Sequence, residues 1–333
     1  MLKIAKAERQ ERTELFQIVS NEMGVPAVIV EKDFWVCYIL DYLFNRSEFK
    51  NQLIFKGGTS LSKCYSIINR FSEDIDLILD WREIGYSIDE PWNERSNAKQ
   101  DRFKLETIER TNAYLSEKFV PNVYTDLSNE LGYEIKIYPA KEEETVIIAY
   151  PKEFQSSATL DIIRLEIGPL AEWAPAESVN IQSYLAEYRP ALFKNPQFNV
   201  RTLKPERTFW EKATILHQEA NRPDSKLMPT RYSRHYYDMY QLGHSFVKHS
   251  ALENLPLLAK VVAFKEKFYR LPWSNLLEAT PGTFRLVPPP YRMKELINDY
   301  SSMQQMLIGS FPTLEKVIDY LRELESEINQ SQG

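Results

Sequence analysis

Residues 53–79 read LIFKGGTSLSKCYSIINRFSEDIDLIL, and this stretch decides the predicted fold. It begins with an apolar run that predicts a short strand, and Gly57 and Gly58 follow almost at once. A helix is then predicted to open at Thr59 or Ser60. Two glycines let a phosphate approach the backbone closely, and a helix N-terminus favours an anion. The stretch therefore predicts a phosphate-binding loop between a strand and a helix.

The second half of the stretch contains an Asp-x-Asp pair. Residues 73–79 alternate between polar and apolar positions, so they predict a strand that carries Asp74 and Asp76 on one face. Two such carboxylates can hold one or two Mg²⁺ ions, because hard cations prefer oxygen ligands. These ions would bridge a triphosphate and stabilise the entering and leaving oxygens. An exposed acidic strand is the alternative, and the ordered combination with the glycine loop favours a nucleotide site.

Hydroxyl groups and cations flank the two glycines. Thr59 and Ser60 can donate hydrogen bonds to a phosphate, Lys56 directly precedes the loop, and Lys63 lies one turn further on. Together with both glycines, these four residues form the predicted nucleotide-binding set.

A third carboxylate from a neighbouring strand would complete a metal site. Glu166 and Asp161 are the candidates, and their five-residue separation puts them on opposite faces of one regular strand. We favour Glu166 because it lies inside an apolar run, where an unpaired carboxylate is hard to explain. The predicted metal ligands are therefore Asp74, Asp76 and Glu166, with Asp161 as the alternative to Glu166.

The rest of the chain predicts a mixed α+β fold. Further strands are predicted over residues 133–138, 145–150 and 159–167. The predicted helices cover residues 6–20, 28–44, 59–68, 102–118, 205–220, 233–249, 260–269, 291–306 and 313–328. We expect a mixed sheet flanked by helices in residues 1–195 and a mostly helical domain in residues 196–333.

Composition and charge restrict the class of protein. The 333 residues carry a formal net charge of -6, which excludes a uniformly basic nucleic-acid binder but not a local basic face. Cys37 and Cys64 lie in apolar surroundings and suit a reducing cytosol better than a disulfide framework. The histidines lack zinc-binding spacing, and no run of eighteen apolar residues predicts a membrane span. A cytoplasmic protein is expected.

Two C-terminal segments are locally basic. Residues 201–235 contain eight Lys/Arg and four Asp/Glu, and residues 260–294 contain seven Lys/Arg and two Glu. Six aromatic residues are interleaved with the second segment: Phe264, Phe268, Tyr269, Trp273, Phe284 and Tyr291. Cations beside aromatics suit an RNA backbone and unstacked bases. A pair of amphipathic helices with solvated lysines is the alternative.

Several motifs together resemble the AbiEii/AbiGii nucleotidyltransferase family of the DNA polymerase β-like superfamily. The resemblance is carried first by residues 55–63 (FKGGTSLSK) and 70–77 (RFSEDIDL). Residues 31–35 (EKDFW) resemble the N-terminal helix of that family. Residues 206–212 (ERTFWEK) resemble its lysine-bearing third motif, and residues 234–240 (RHYYDMY) resemble its fourth.

The resemblance implies roles for individual residues in a polymerase β-like fold. Asp74 and Asp76 would be catalytic metal ligands, Lys212 would hold the triphosphate, and Asp238 would be a further catalytic-site acid. The helical domain would thus contribute Lys212 and Asp238 to the site. The residues alone would make Lys212 a surface lysine and Asp238 a partly buried acid.

This sequence departs from the family pattern at the glycine motif. The family has Gly-Ser directly adjacent, whereas Thr59 here separates Gly58 from Ser60. Which hydroxyl contacts the phosphate therefore stays open.

The resemblance also implies an activity. It is Mg²⁺-dependent transfer of a nucleoside monophosphate from an NTP to an RNA acceptor, a tRNA 3′ end, with release of pyrophosphate. The expected biology is a toxin that arrests growth in abortive infection and phage defence, with a cognate antitoxin as partner. Two alternatives are transfer onto a protein hydroxyl and a nucleotide-binding module that has lost turnover. The presence of every expected carboxylate argues against the module.

Overall fold

Seven strands form one mixed sheet. They are β1 Leu53–Lys56, β2 Asp74–Leu79, β3 Lys136–Pro139, β4 Thr145–Ala149, β5 Ile163–Gly168, β6 Ala176–Ile181 and β7 Phe198–Leu203. Their order in the sheet is β3-β4-β5-β2-β1-β7-β6. The central strand β2 pairs antiparallel with β1 and parallel with β5. The predicted pair of strands around the glycine motif therefore lies at the centre of the sheet.

The structure is a computed structural model that describes residues 1–72, 74–155 and 162–331. The chain divides into two compact units. Unit 1 comprises Met1–Cys64 and Phe71–Leu203, and unit 2 comprises Tyr65–Arg70 and Lys204–Gly333. The sequence placed the domain boundary at residue 195, and β7 carries unit 1 on to Leu203.

Helices surround the sheet within unit 1. They are α1 Leu2–Ala5, α2 Arg9–Met23, α3 Ala27–Asp41, α4 Gly57–Lys63, α5 Asn97–Tyr114, α6 Val120–Leu131 and α7 Tyr184–Tyr188. Unit 2 contains α8 Pro205–Ala220, α9 Ser233–His244, α10 Val247–Leu252, α11 Leu255–Phe268, α12 Met293–Met303 and α13 Leu314–Gln330. The predicted mixed α+β fold is confirmed.

Short helical turns of other types complete the elements. Single π-helical turns cover Tyr42–Arg46 and Leu115–Phe119. The 3₁₀ turns are Glu48–Asn51, Trp81–Ile84, Glu90–Trp92, Pro190–Leu192, Leu276–Glu278, Pro290–Arg292 and Gln304–Met306. Within the residues given above, no helix is both long and apolar enough to cross a bilayer.

Several predicted boundaries were wrong for local reasons. Helix α4 begins at Gly57 rather than Thr59 and ends at Lys63 rather than residue 68. Ser66 has a φ of 52°, in the left-handed region, so a right-handed helix cannot continue through it. Strands β6 and β7 were not predicted from the sequence, and neither was helix α6.

A buried ion pair fixes α4 to α3. Lys63 at the end of α4 places its Nζ 2.6 Å from Oδ1 of Asp33, and both side chains are nearly inaccessible, at 9% and 3% exposure. The other oxygen of Asp33 accepts a hydrogen bond from the backbone N–H of Tyr184 at 2.6 Å. Burial alone would lower the pKa of Lys63, but the Asp33 carboxylate raises it above its ordinary value. This buried ion pair therefore fixes the C-terminal end of α4 to α3.

We expect Asp33→Asn to destabilise the protein by about 3–5 kcal/mol, because it leaves the Lys63 ammonium buried without a counter-charge. Urea unfolding measures the loss, and the Asp33→Asn/Lys63→Met double variant should recover much of it. Asp319→Asn is the control, because its ion pair with Arg322 is exposed and should be worth less than about 1 kcal/mol. Equal stability of Asp33→Asn and the wild type would contradict this account.

Candidate active site

The strand register places five polar side chains on one face of the sheet, here called the acidic face. Asp76 pairs with Lys56 on β1 and with Glu166 on β5, and Asp74 pairs with Arg164 on β5. Paired residues share a face, so all five side chains project to the same side. The alternate residues of β2 are buried on the other side, which confirms the predicted alternation.

Gly57 lies directly against the Asp76 carboxylate. It has a φ of +81°, and an added Cβ would lie 1.9 Å from Oδ2 of Asp76. Only glycine satisfies both the backbone conformation and this close approach. The glycine motif and the second aspartate, nineteen positions apart in the sequence (76 minus 57), therefore meet in one place.

The two hydroxyls of the motif bond to backbone carbonyl groups. Thr59 Oγ1 donates to the carbonyl oxygen of Asp74, which ties the start of α4 to the start of β2. Ser60 Oγ donates to the carbonyl oxygen of Gly57 at 2.9 Å. Both residues are buried, so a phosphate contact by either hydroxyl would need that side chain to rotate. A contact of Thr59 or Ser60 with phosphate stays a prediction.

The two lysines of the predicted nucleotide-binding set differ in their surroundings. Lys63 is committed to Asp33, and its ammonium also lies 4.2 Å from the centre of the Tyr184 ring. Lys56 lies on the acidic face and is partly exposed. Lys56 therefore shares a face with Asp76, and a contact of either lysine with a nucleotide stays a prediction.

Arg164 was missed in the sequence analysis. Its guanidinium nitrogens lie 3.8 Å from an oxygen of Asp74, 3.7 Å from one of Glu142 and 3.9 Å from one of Glu166. The sequence did contain a signal for Arg164, because it lies two residues before Glu166 on the predicted strand, and residues two apart on a strand share a face. Arg164 partly balances the carboxylate charge, and a cation binding there would compete with it.

The carboxylates of the acidic face suit a Mg²⁺ ion that a nucleotide also binds better than a metal ion bound by protein ligands alone. Across residues 1–72, 74–155 and 162–331, no group of three or more His, Cys, Asp or Glu side chains could hold a metal ion. Protein-bound Mg²⁺ usually takes one or two carboxylates and completes its shell with phosphate oxygens and water. Asp74 and Asp76 match that donor set. Glu166 as third ligand stays a prediction, and Asp161 lies outside the described residues.

Glu144, another residue that the sequence analysis did not single out, also belongs to the acidic face. Its Oε1 lies 3.4 Å from the position of an added Cβ on Gly168, a residue two beyond Glu166 on β5 and therefore on the same face. Its φ is 55°, and Asn112 Oδ1 accepts its backbone N–H at 2.8 Å. Among the described residues Oε1 has no hydrogen-bond partner, and burial, followed by the Glu143 charge, raises the pKa of Glu144 to about 7.

Unit 2 brings the two other predicted catalytic residues together. Lys212 on α8 places its Nζ 2.7 Å from Oδ2 of Asp238 on α9 and 3.2 Å from Nδ1 of His235. Lys212 is 8% exposed and Asp238 is fully buried. Lys212 is therefore not the surface lysine that the residues alone indicated, and Asp238 is buried more deeply than expected.

The charges of this group follow from its burial. Burial alone would raise the pKa of Asp238, but Arg70 and Lys212 hold it well below its usual range. Burial lowers the pKa of His235 far below its ordinary value, and the Lys212 charge adds to the effect. Burial also lowers the pKa of Lys212, although the Asp238 charge opposes this effect, and a neutral His235 can accept a hydrogen bond from Lys212 Nζ.

A glycine loop beside paired carboxylates on a mixed sheet is the arrangement of a nucleotidyltransferase. Residues 38–323 match the profile of the family described as nucleotidyl transferase AbiEii toxins, which are the toxins of type IV toxin–antitoxin systems. The chain belongs to this family and is a nucleotidyltransferase toxin. The match begins after residues 31–35, so it does not test the resemblance of those residues. It extends beyond residue 240, where the motifs recognised in the sequence end.

Comparison with solved and curated proteins adds little to the family match. A similar solved structure is MenT4, a nucleotidyltransferase toxin from Mycobacterium tuberculosis H37Rv. Its identity to this chain is 15% and the TM-score is 0.44, over 96% of this chain and 99% of that one. No curated protein matches the chain.

We expect Gly57→Ala to lower nucleotidyl transfer by about 100-fold or more, because a Cβ would push the Asp76 carboxylate out of place. Gly24→Ala is the matched control: Gly24 has a similar φ of +67° and nothing within 4 Å of the added Cβ. That control should cost about 1 kcal/mol of stability and leave transfer unchanged. Equal activity of the two variants would contradict the proposed contact.

Glu144→Gln should change how stability depends on pH. A carboxyl whose folded pKa is raised stabilises the fold below its unfolded pKa of 4.5 and loses that contribution as pH rises to about 7. The wild type should therefore lose about 1–3 kcal/mol relative to Glu144→Gln across this window. Urea unfolding from pH 4.5 to 8 measures it, with exposed Glu134→Gln as the control. A constant difference across the window would contradict it.

Proposed function

We propose that this protein transfers a nucleoside monophosphate from an NTP to the 3′ end of an RNA, with tRNA as the acceptor and Mg²⁺ as the metal. The observation that carries the proposal is the acidic face beside Gly57, where the Asp76 carboxylate lies against the glycine backbone. This arrangement supports a metal–triphosphate complex whose phosphates approach the loop closely.

The reaction is a single displacement at phosphorus. The terminal hydroxyl oxygen of the RNA forms a bond to the α-phosphorus, and the bond from that phosphorus to the bridging oxygen breaks. Pyrophosphate leaves with the bonding electron pair, and the hydroxyl proton passes to a base. Bound Mg²⁺ supplies charge neutralisation at the triphosphate oxygens. Asp74 and Asp76 would hold the metal ion, and Lys56 would contribute positive charge beside the phosphates.

The surface of unit 2 supports an RNA acceptor. Residues 222–231 lie against α12 and the turn before it, because Glu295 accepts the backbone N–H of Met228 and Tyr291 donates to the carbonyl of Arg222. This packing gathers exposed cations and one exposed ring: Lys226, Arg231, Tyr291 and Lys294. Such a surface suits a phosphate backbone and an unstacked base.

Other members of the predicted basic and aromatic set have different roles. Phe264, Phe268 and Phe284 are buried in unit 2, so they cannot stack on bases. Arg207 and Arg292 are buried as well. The RNA proposal therefore depends on the exposed residues alone.

The biological setting of the proposal follows from the family. A toxin of a type IV toxin–antitoxin system implies a cognate antitoxin, and modification of tRNA ends would stop translation and arrest growth. Such arrest would serve abortive infection and phage defence. The cytoplasm, where NTPs and tRNA are available, is the proposed location.

The deciding experiment incubates purified protein with Mg²⁺, each α-labelled NTP in turn and total bacterial RNA. We expect label on RNA of tRNA size, lost by at least about 100-fold in Asp74→Ala and Asp76→Ala because each removes a metal ligand. Glu177→Ala is the matched control: Glu177 pairs with Thr202, which pairs with Phe55, so it lies on the opposite face of the same sheet. This variant should transfer normally.

The other outcomes select the alternatives. Label on protein instead of RNA would replace the acceptor with a protein hydroxyl. NTP binding without pyrophosphate release, whatever the acceptor, would indicate a silent nucleotide-binding module. Full transfer by either aspartate variant would overturn the proposed site.

A further inference from the structure

Arg164 projects from an inner strand of the sheet into the acidic face. Its strand β5 pairs with β2 on one side and with β4 on the other, where Arg164 lies opposite Asp74 and Ile147. The backbone is therefore fixed on both sides. The guanidinium ends among three carboxylates, at 3.8 Å from Asp74, 3.7 Å from Glu142 and 3.9 Å from Glu166.

Charge rather than hydrogen bonding gives these three contacts their attraction. A charge-assisted hydrogen bond from nitrogen to a carboxylate spans about 2.7–2.9 Å, so the three contacts satisfy none of the five N–H donors of Arg164. The Arg164 and Asp74 side chains are also 22% and 26% exposed. By contrast, Arg70 in unit 2 donates to both oxygens of Asp238 at 2.7 and 2.9 Å and is only 5% exposed. The Arg164 side chain is therefore accessible and can change partners.

The charges of the acidic face do not suit a metal ion by itself. Lys56 and Arg164 already oppose the carboxylates of Asp74, Asp76 and Glu166, which the strand register places on the same face. A divalent cation on the Asp74 oxygen would displace the guanidinium and would lie beside a group of like charge. A triphosphate that binds with the cation supplies negative charge to both of them.

The glycine loop lies on the same face, within unit 1. The Gly57 backbone lies against the Asp76 carboxylate, and Asp76 pairs with Glu166, two residues beyond Arg164 on β5. The Arg164 side chain already reaches across to Asp74 on the neighbouring strand. A triphosphate that lies beside Gly57 and shares a metal ion with Asp74 would therefore have the guanidinium as its neighbour.

We propose that Arg164 is a ligand for the triphosphate, and that Asp74 and Glu166 are its counter-ions until the metal and the nucleotide bind together. This inference rests on the proposed function and goes beyond it, because it names a residue that couples the two ligands. The cation takes the Asp74 oxygen, and the released guanidinium turns to the phosphate oxygens. A planar guanidinium binds phosphate through two parallel hydrogen bonds, which its carboxylate contacts here do not provide.

The proposal predicts a coupling between metal binding and triphosphate binding. Metal alone has to displace Arg164 without compensation, whereas the metal–triphosphate complex gives the guanidinium a new partner. Removal of Arg164 should therefore strengthen the binding of metal alone and weaken the binding of the complex, which lowers the coupling between the two ligands. A side chain that only stabilised the fold would lower both affinities when removed.

Two binding assays on the full chain measure this coupling. Mn²⁺ alone is titrated and followed by the electron paramagnetic resonance signal of the free ion. Labelled inorganic triphosphate, which requires no choice of base, is then dialysed against the protein in excess Mn²⁺. For Arg164→Gln we expect the Mn²⁺ affinity to rise about 5- to 10-fold and the triphosphate affinity to fall about 10- to 100-fold.

Arg164→Lys separates the charge of the side chain from its shape. It keeps the positive charge, so the affinity for Mn²⁺ alone should stay close to the wild-type value. It loses the planar fork, so the triphosphate affinity should still fall. Arg189→Gln is the matched control, because Arg189 is another partly exposed, ion-paired arginine of unit 1, and its partner Glu22 lies on α2 rather than on the sheet. This control should change neither affinity.

The outcomes distinguish this inference from the proposed function. In Arg164→Gln, an unchanged Mn²⁺ affinity, an unchanged triphosphate affinity or a loss of both would each overturn the inference. A wild type that binds Mn²⁺ and triphosphate but transfers no nucleotide would end the proposed function, and the affinities of Arg164→Gln would still decide the inference. A wild type that binds neither ligand would overturn both.

Discussion

The contact between the Gly57 backbone and the Asp76 carboxylate is the constraint on which the rest of the site depends. It requires a residue without a side chain at a positive φ, and it requires β1 and β2 to pair in a register that brings Lys56 opposite Asp76. The same register carries through β2 to β5 and sets Glu166 beside the aspartate. A slip of one residue would turn every carboxylate to the buried face.

The sequence was informative wherever local pattern decides the outcome. Period-two alternation located Asp74 and Asp76, and Pro205 marked the start of α8 correctly. The sequence pattern could not show which charged residues of separate segments form ion pairs in the folded protein. Lys63 looked like a phosphate ligand by its spacing, but Asp33, thirty positions earlier, neutralises it. Strand β7 lies between β1 and the edge strand β6, and its pairing with β1 depends on tertiary contact, which no local period records.

At two places in this molecule, one charged side chain is the counter-ion of several oppositely charged side chains. In unit 1, Arg164 lies near three carboxylates, so the acidic face is partly balanced before any metal binds. In unit 2, Asp238 serves both Arg70 and Lys212. Buried ions are costly unless they are paired, so each arrangement fixes a geometry that substitution of any member would release. The motif residues Arg70, Lys212 and Asp238 therefore hold one another, whereas Arg164, which holds the charge of the acidic face, lies outside the motifs.

The most direct test of the account is a crystal structure with Mn²⁺ and a non-hydrolysable NTP analogue, read from the anomalous signal of manganese. The account predicts manganese at about 2.1 Å from oxygens of both Asp74 and Asp76, with the triphosphate beside the Gly57 backbone and Arg164 displaced from Asp74. Manganese and triphosphate bound away from the acidic face, or a triphosphate bound with the Arg164–Asp74 contact intact and no metal, would contradict it.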